Sequence, residues 1–238
     1  MILKNWLQYR RKQQMFDIPS HGDVLDTNNQ GLTLIECLVA IAVIGISMAV
    51  TAPMIVLSVA TRTQSQRADQ ALQIAQAEVD RIRFTVINND TYAVSAATVA
   101  VNSVGNFVAV AAPEDINNAA YSTTSAAAKG IDVDGDGNPD YAAQIFKTVG
   151  STVGTTPVAF DLGVRIYDAD AVNTKTSAQL DVDQARIGLT SGEGQRGTKP
   201  LSVIYTSVIK SDTSRSLCDY HNFIDSVQGT TTSSPSQC

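Results

Sequence analysis

At 238 residues the chain has room for one ordinary domain with accessory segments rather than for two full cores. A net charge of −6, from 17 basic and 23 acidic residues, and an aromatic content of 6% leave no basic footprint for nucleic acid. The charge is unevenly placed: Lys4, Arg10, Arg11 and Lys12 stand near the start against Asp17, Asp23 and Asp26, whereas residues 32–238 carry 13 basic and 20 acidic groups.

In chain order, a polar stretch ends at Asn28-Asn29-Gln30-Gly31, and Leu32-Thr33-Leu34-Ile35-Glu36 opens an apolar run. From Cys37 to Leu57, 21 consecutive residues carry no charge. That length covers a hydrocarbon core of roughly 30 Å. The apolar residues surround this segment on every side, as in a membrane span rather than a core helix with one apolar stripe. The four early basic residues favour a cytoplasmic N-terminus, which puts the acidic remainder in the periplasm or outside the cell. An ordinary secretory signal places its cleavage site after the apolar stretch; here the order is inverted.

The Gly31/Leu-Thr-Leu-Ile-Glu junction resembles the class III signal of type IV prepilins and pseudopilins. The resemblance implies a membrane peptidase that cuts after Gly31 and methylates the new amino group of Leu32. It further implies a single-pass protein of the inner (cytoplasmic) membrane whose partners are prepilin peptidase, other pilin or pseudopilin subunits and an inner-membrane assembly platform. Glu36 and Pro53 also match the pattern. Leu32 departs from it, since the family usually has Phe there, and a 31-residue leader is long for a major pilin, which points to a minor pilin or pseudopilin.

Glu36 has a physical reading of its own. A carboxylate near the end of a membrane helix costs about 1–3 kcal/mol unless it is paired. No Lys or Arg lies near it in sequence, so the cation that processing creates is the Leu32 amine, on the same chain or a neighbouring one. An amine–carboxylate pair between neighbours would fix their register in a filament, as the resemblance implies. A carboxylate that merely reaches the lipid headgroups is the alternative.

Beyond the span, Ala68, Leu72, Ala75, Val79, Ile82 and Val86 recur at helical spacing, with Arg67, Asp69, Gln70, Gln73, Gln76, Asp80 and Arg81 on other faces. This predicts one helix from about Leu34 to about Phe84, bent rather than stopped at Pro53. After Asn88-Asn89-Asp90 the period changes to two. Val158, Phe160, Leu162, Val164 and Ile166 predict the clearest strand, with Asp161 and Arg165 on its other side, and further strands are expected at Phe107–Ala111, Gln144–Val149, Arg186–Leu189 and Leu201–Ile209. Ala119–Lys129 reads as surface loop and Gly229–Gln237 as a loose end. The expected fold is α+β and pilin-like: a long N-terminal helix packed on a small antiparallel sheet of about four strands. The corresponding divisions are a leader over 1–31, a transmembrane part over 32–60, an amphipathic part over 61–88 and a β-rich head over 89–238.

Asp132, Asp134, Asp136, Asn138 and Asp140 alternate with other residues around Gly135 and Gly137, and resemble the first nine positions of an EF-hand loop for Ca²⁺. By that resemblance the three leading aspartates supply side chains, Asn138 a backbone carbonyl, and Asp140 a direct or water-mediated contact. The twelfth position is Ala143, which offers no carboxylate, so the site needs completion from elsewhere, with Asp168 or Asp170 as candidates. Four carboxylates in nine residues repel one another, which favours a bound cation over a merely solvated acidic turn.

Cys218 and Cys238 fall in the extracytoplasmic part, where a disulfide is allowed, and a disulfide-closed C-terminal loop resembles that of many pilins. Cys37 reads as a small apolar filler. Gly192-Glu193-Gly194-Gln195-Arg196-Gly197 satisfies a dinucleotide fingerprint, but Lys199-Pro200 leads into a β run rather than a helix, so a hairpin loop is expected. His21 and His221 have no nucleophile site around them, and no enzymatic role is expected. Within the filament class, Ala71–Arg83, Val164–Asp168 and Lys199–Thr206 are similar to segments of cyanobacterial pseudopilins associated with polysaccharide secretion and gliding. The competing class is a membrane-anchored calcium-binding adhesion or ligand-binding module that never polymerises; it has no need of Glu36.

Overall fold

The computed structural model describes residues 33–88, 94–117, 121, 123–186, 195–210 and 216–228. The chain divides into two compact units, Met1–Val50 and Thr51–Cys238. Helix α1, Leu34–Asn88, is one 55-residue element that contributes to both.

In the first unit, α1 is an apolar cylinder whose side chains are exposed from Leu34 onward. Ser47, a polar residue within it, donates its hydroxyl to the Val43 carbonyl at 2.8 Å, so no polar group is left for lipid to satisfy at that position. In the second unit the exposed apolar surface continues through Met54, Ile55, Val56, Leu57 and Val59. Pro53 sits inside the helix without ending it. Burial begins farther along: Ala71, Ala75, Val79, Ile82 and Val86 are the buried positions of α1. The expected stripe is therefore corrected at its start, because Leu72 is 41% exposed and Ala71 is buried instead. A small Ala at that contact lets the helix backbone approach the sheet, which a Leu would hold off.

Among the described residues the head is built on a seven-stranded sheet. Its strands are β1 (Ala97–Thr98), β2 (Asp115–Asn117), β3 (Ala127–Ile131), β4 (Tyr141–Lys147), β5 (Ser151–Val153), β6 (Thr156–Asp168) and β7 (Ser202–Ile209). The β3–β4, β4–β6, β5–β6 and β6–β7 pairs are antiparallel, whereas β1–β4 and β2–β3 are parallel. The sheet is thus mixed and larger than the antiparallel sheet of about four strands expected. Among the described residues the head also holds helices α2 (Ala169–Thr174) and α3 (Ser216–Gln228).

Strand β6 is the centre of the sheet, with β4 and β5 along one side and β7 along the other. Phe160, Leu162, Val164 and Ile166 on one face share a core with the buried stripe of α1 and with Tyr141, Ala143 and Ile145 of β4. The opposite face is buried too. Asp161 is 4% exposed and Arg165 is fully buried.

The cover over that second face is a 3-10 helix, Val104–Ala109, where the sequence predicted a strand over Phe107–Ala111. Two charges of β6 hold its ends. Asp161 accepts the Val104 N–H at 2.9 Å, and Arg165 donates through Nη2 to the Phe107 carbonyl at 2.6 Å and through Nη1 to the Val110 carbonyl at 2.8 Å. Four residues along a strand span about 13 Å, and six residues of 3-10 helix span about 12 Å. The match explains why a β-like sequence gives up its strand: its carbonyls satisfy a buried guanidinium that pairs with no carboxylate among the described residues. Arg165 also donates to Tyr205 at 2.8 Å and to Gln144 at 3.2 Å, and lies 4.9 Å from the centre of the Phe146 ring. Gly163 leaves room for that ring, since a Cβ there would fall 2.5 Å from it.

Ala119–Lys129, expected as loop, enters β3 at Ala127, and α3 was not foreseen. The expected strand Arg186–Leu189 lies outside the described residues apart from Arg186, and so does the tail Gly229–Gln237. Arg165→Met should lower the unfolding free energy of the head by about 3 kcal/mol, because two carbonyls, Gln144 and Tyr205 lose a buried donor. Arg67→Met, which removes a half-exposed partner of Asp168 at 3.5 Å, should cost less than about 1 kcal/mol. Urea unfolding of the full chain in detergent, followed by near-ultraviolet circular dichroism, measures both.

Candidate functional site

Two places carry the residues singled out by sequence, the start of α1 and the β3–β4 loop. Gly31 and Leu32 lie outside the described residues, which begin at Thr33. Thr33 caps the helix. Its hydroxyl and its carbonyl both accept the Glu36 N–H, at 3.3 and 2.9 Å, and its carbonyl also accepts the Cys37 N–H at 3.1 Å. Glu36 is therefore in the first turn of α1, exposed, where the positive end of the helix dipole favours a carboxylate. Thr-x-x-Glu is also the pattern of a capping box, in which the Glu reaches back toward the N-cap amide. That signal is legible in Thr33-Leu34-Ile35-Glu36 itself. It places the carboxylate at the end of the apolar helix, close to where cleavage would create a free amine.

The Asp132–Asp140 segment is the hairpin loop between β3 and β4, closed by the Asp140 N–H donating to the Ile131 carbonyl at 2.9 Å. Backbone amides organise the loop around its carboxylates. Asp132 accepts from Gly135 at 2.7 Å and from Gly137 at 2.9 Å, Asp134 from Asp136 at 3.0 Å, Asp136 from Asn138 at 2.7 Å, and Asp140 from Val133 at 2.8 Å. Gly135 and Gly137 adopt φ of 80° and 92°, the left-handed region that glycine enters without strain. The amides of Gly137 and Gly135 hold the Asp132 carboxyl below the usual carboxylate range.

One carboxylate oxygen from each of Asp132, Asp134 and Asp136 lies within 4.8 Å of the others. Calcium–oxygen distances of about 2.3–2.6 Å let one ion touch oxygens separated by up to about 5 Å, so the donor set fits a hard divalent cation. Asn138 and Asp140 follow in the same loop. Ala143 is buried in β4 and supplies nothing. Asp168 does not complete the set freely: its carboxylate pairs with Arg67 at 3.5 Å and Arg196 at 3.2 Å and caps α2 through the Asp170 N–H. Asp170, the other candidate, is exposed in the first turn of α2.

Cys218 lies on α3, whereas Cys238 lies outside the described residues; Cys37 is exposed on the apolar part of α1. Of the glycine-rich segment, Gly192, Glu193 and Gly194 lie outside the described residues, and the Arg196 side chain serves the ion pair with Asp168.

The family model of the prokaryotic N-terminal methylation motif matches residues 26–52. Comparison with curated proteins and with solved structures gives no match. The matched segment spans the Gly31/Leu32 junction, Glu36 and the first half of the apolar helix, whose most apolar window has a mean hydropathy of 2.4. A signal of this class implies processing by prepilin peptidase and assembly with pilin subunits in a membrane. The chain carries a class III signal on a single membrane-anchoring helix ahead of a mixed-sheet head, consistent with a type IV pilin-like precursor.

Proposed function

We propose that the mature chain is a minor pilin or pseudopilin, a structural subunit of a type IV pilus or of a type II secretion-like filament, without enzymatic activity. The observation that carries this reading is Glu36 in the capped first turn of a helix whose following 21 residues carry no charge, directly after the methylation motif's cleavage junction. In lipid such a carboxylate is costly without a cation, and the Leu32 amine of a neighbouring subunit is the cation that processing supplies. The pair sets the register between subunits on an inner-membrane assembly platform. The basic residues before the span support an inner-membrane location with the head in the periplasm or in an extracellular filament. The similarity of three short segments to cyanobacterial pseudopilins supports polysaccharide secretion or gliding motility as the process served. A Cys218–Cys238 disulfide would close the C-terminal loop, as in many pilins.

One observation favours the competing reading, a non-polymerising anchored module. The Thr33 hydroxyl takes the Glu36 backbone N–H, and the Thr-x-x-Glu pattern of a capping box would give the Glu36 carboxylate a return role in the same helix, which an anchor would also use. Two substitutions separate the readings. Glu36→Leu removes charge and capping ability; Glu36→Gln keeps an N3 side chain able to cap but loses the charge. Both variants should insert and be cleaved, and both should co-purify with the filament roughly tenfold less than wild type, a loss of about 1.4 kcal/mol. Normal co-purification of Glu36→Gln would make capping the role of Glu36 and favour the anchor.

We further infer that the Asp132–Asp140 loop binds Ca²⁺ through Asp132, Asp134, Asp136, the Asn138 carbonyl and Asp140. Calorimetry on the full chain should give a dissociation constant of about 10⁻⁴–10⁻³ M, the range of extracellular sites. Binding should vanish in the Asp134→Ala/Asp136→Ala variant. Without calcium, the lowered pKa of Asp132 has its own consequence. A carboxyl depressed in the folded state adds order above its ordinary pKa of 3.8, and that order is lost as pH falls through the lowered value. Carboxyl NMR should place the Asp132 midpoint below 3.8, and exchange protection of the Gly135 and Gly137 amides should fall with it.

A further inference from the structure

A cavity of about 200 Å³ lies between α3 and the 3-10 helix, lined by Ser103, Val104, Gly105, Asp161 and Ser207 on one side and by Tyr220, Phe223, Ile224 and Val227 on the other. We propose that it is a binding site for a primary ammonium group carried on a short alkyl stem.

The argument starts from Asp161. Its carboxylate is buried and accepts two neutral hydrogen bonds, from the Val104 N–H at 2.9 Å and the Ser207 hydroxyl at 2.6 Å. Both donors come from residues that line the cavity, so the carboxylate lies at its wall. Among the described residues no Lys, Arg or His nitrogen is paired with it. A buried carboxylate keeps lone pairs beyond these two contacts, and neutral donors offset its desolvation only in part.

The opposite wall supplies what an alkylammonium needs in addition. Tyr220 and Phe223 offer aromatic rings to a cation, and Ile224 and Val227 offer apolar surface to a stem. The volume is below the range of about 300–1,000 Å³ that accommodates drug-sized ligands, so a small group is selected. The head group could belong to a free small amine or to a lysine side chain of a partner; the chemistry is the same. This site is remote in sequence from Glu36 and from the aspartate loop, and does not depend on either reading.

The test is saturation-transfer difference NMR on the full chain in uncharged detergent. The probes are n-butylammonium, neutral n-butanol and the peptide acetyl-Gly-Lys-Gly-amide. Butylammonium should show saturable binding that weakens about tenfold or more in Asp161→Asn, whereas butanol should give the same signal with both proteins. Asp161→Asn also removes a carboxylate that holds the 3-10 helix, so a second variant fills the cavity instead. Among the described residues a Cβ at Gly105, which lines the cavity, meets the Ser103 hydroxyl alone, at 3.9 Å, and Gly105→Leu should fold normally yet exclude butylammonium. Competition by the peptide would support the site with a lysine side chain as its ligand; its failure beside bound butylammonium would support the site with a free amine. Equal butylammonium signals from wild type and Gly105→Leu, or saturable binding of butanol to the wild type, would overturn the proposal.

Discussion

Helix α1 meets two solvents in one uninterrupted element, and the rest of the molecule depends on that constraint. Its first half must satisfy every polar group internally and present apolar side chains all round, because lipid offers no hydrogen bonds. Its second half must bury one stripe and leave the other faces to water. The sequence meets the first demand with 21 uncharged residues and the second with Ala71, Ala75, Val79, Ile82 and Val86. Glu36 stands against this background, a single carboxylate in the first turn, which is why one residue can carry so much of the functional reading.

The head answers the buried stripe with a strand that is buried on both faces. One face of β6 is ordinary core against α1. The other carries Asp161 and Arg165, and their charges are answered by backbone groups of the 3-10 helix rather than by each other. A buried guanidinium held by carbonyls leaves its cover with one acceptable position, since sliding would strand several donors at once. Among the described residues, none gives Asp161 a counter-charge at the edge of its small cavity. The aspartate loop joins β3 to β4 of the sheet, and α3 packs on β6.

Local signals were legible in the sequence and long-range ones were not. The Gly31/Leu32 junction, the uncharged run and the alternation in β6 each lie within a short window, and the methylation motif and the apolar helix agree with them. The Leu72 register failed because both Ala71 and Leu72 fit a helical period, and only the approach of the sheet decides between them. Phe107 was read as strand because nothing nearby announces Arg165, 58 residues away, as the partner of its carbonyl. The parallel β1–β4 and β2–β3 pairs are likewise set by connections that no local pattern encodes. Helix α3 was hidden by composition: Cys218, Asp219, Tyr220, His221, Asn222 and Phe223 are all indifferent helix formers, and its packing over β6 stabilises it where propensity does not. The three aspartates of the β3–β4 loop whose carboxylate oxygens come together fall within five residues, so that cluster needed no long-range signal.

Everything assigned to Glu36 presupposes that the chain is cut at the motif and leaves a free amine two positions before the first helical residue. Mass spectrometry of the chain extracted from its native membrane tests this directly. The predicted result is an N-terminus at Leu32 with a methylated amino group. An intact Met1, or an N-terminus beyond the apolar run that ends at Leu57, would contradict it.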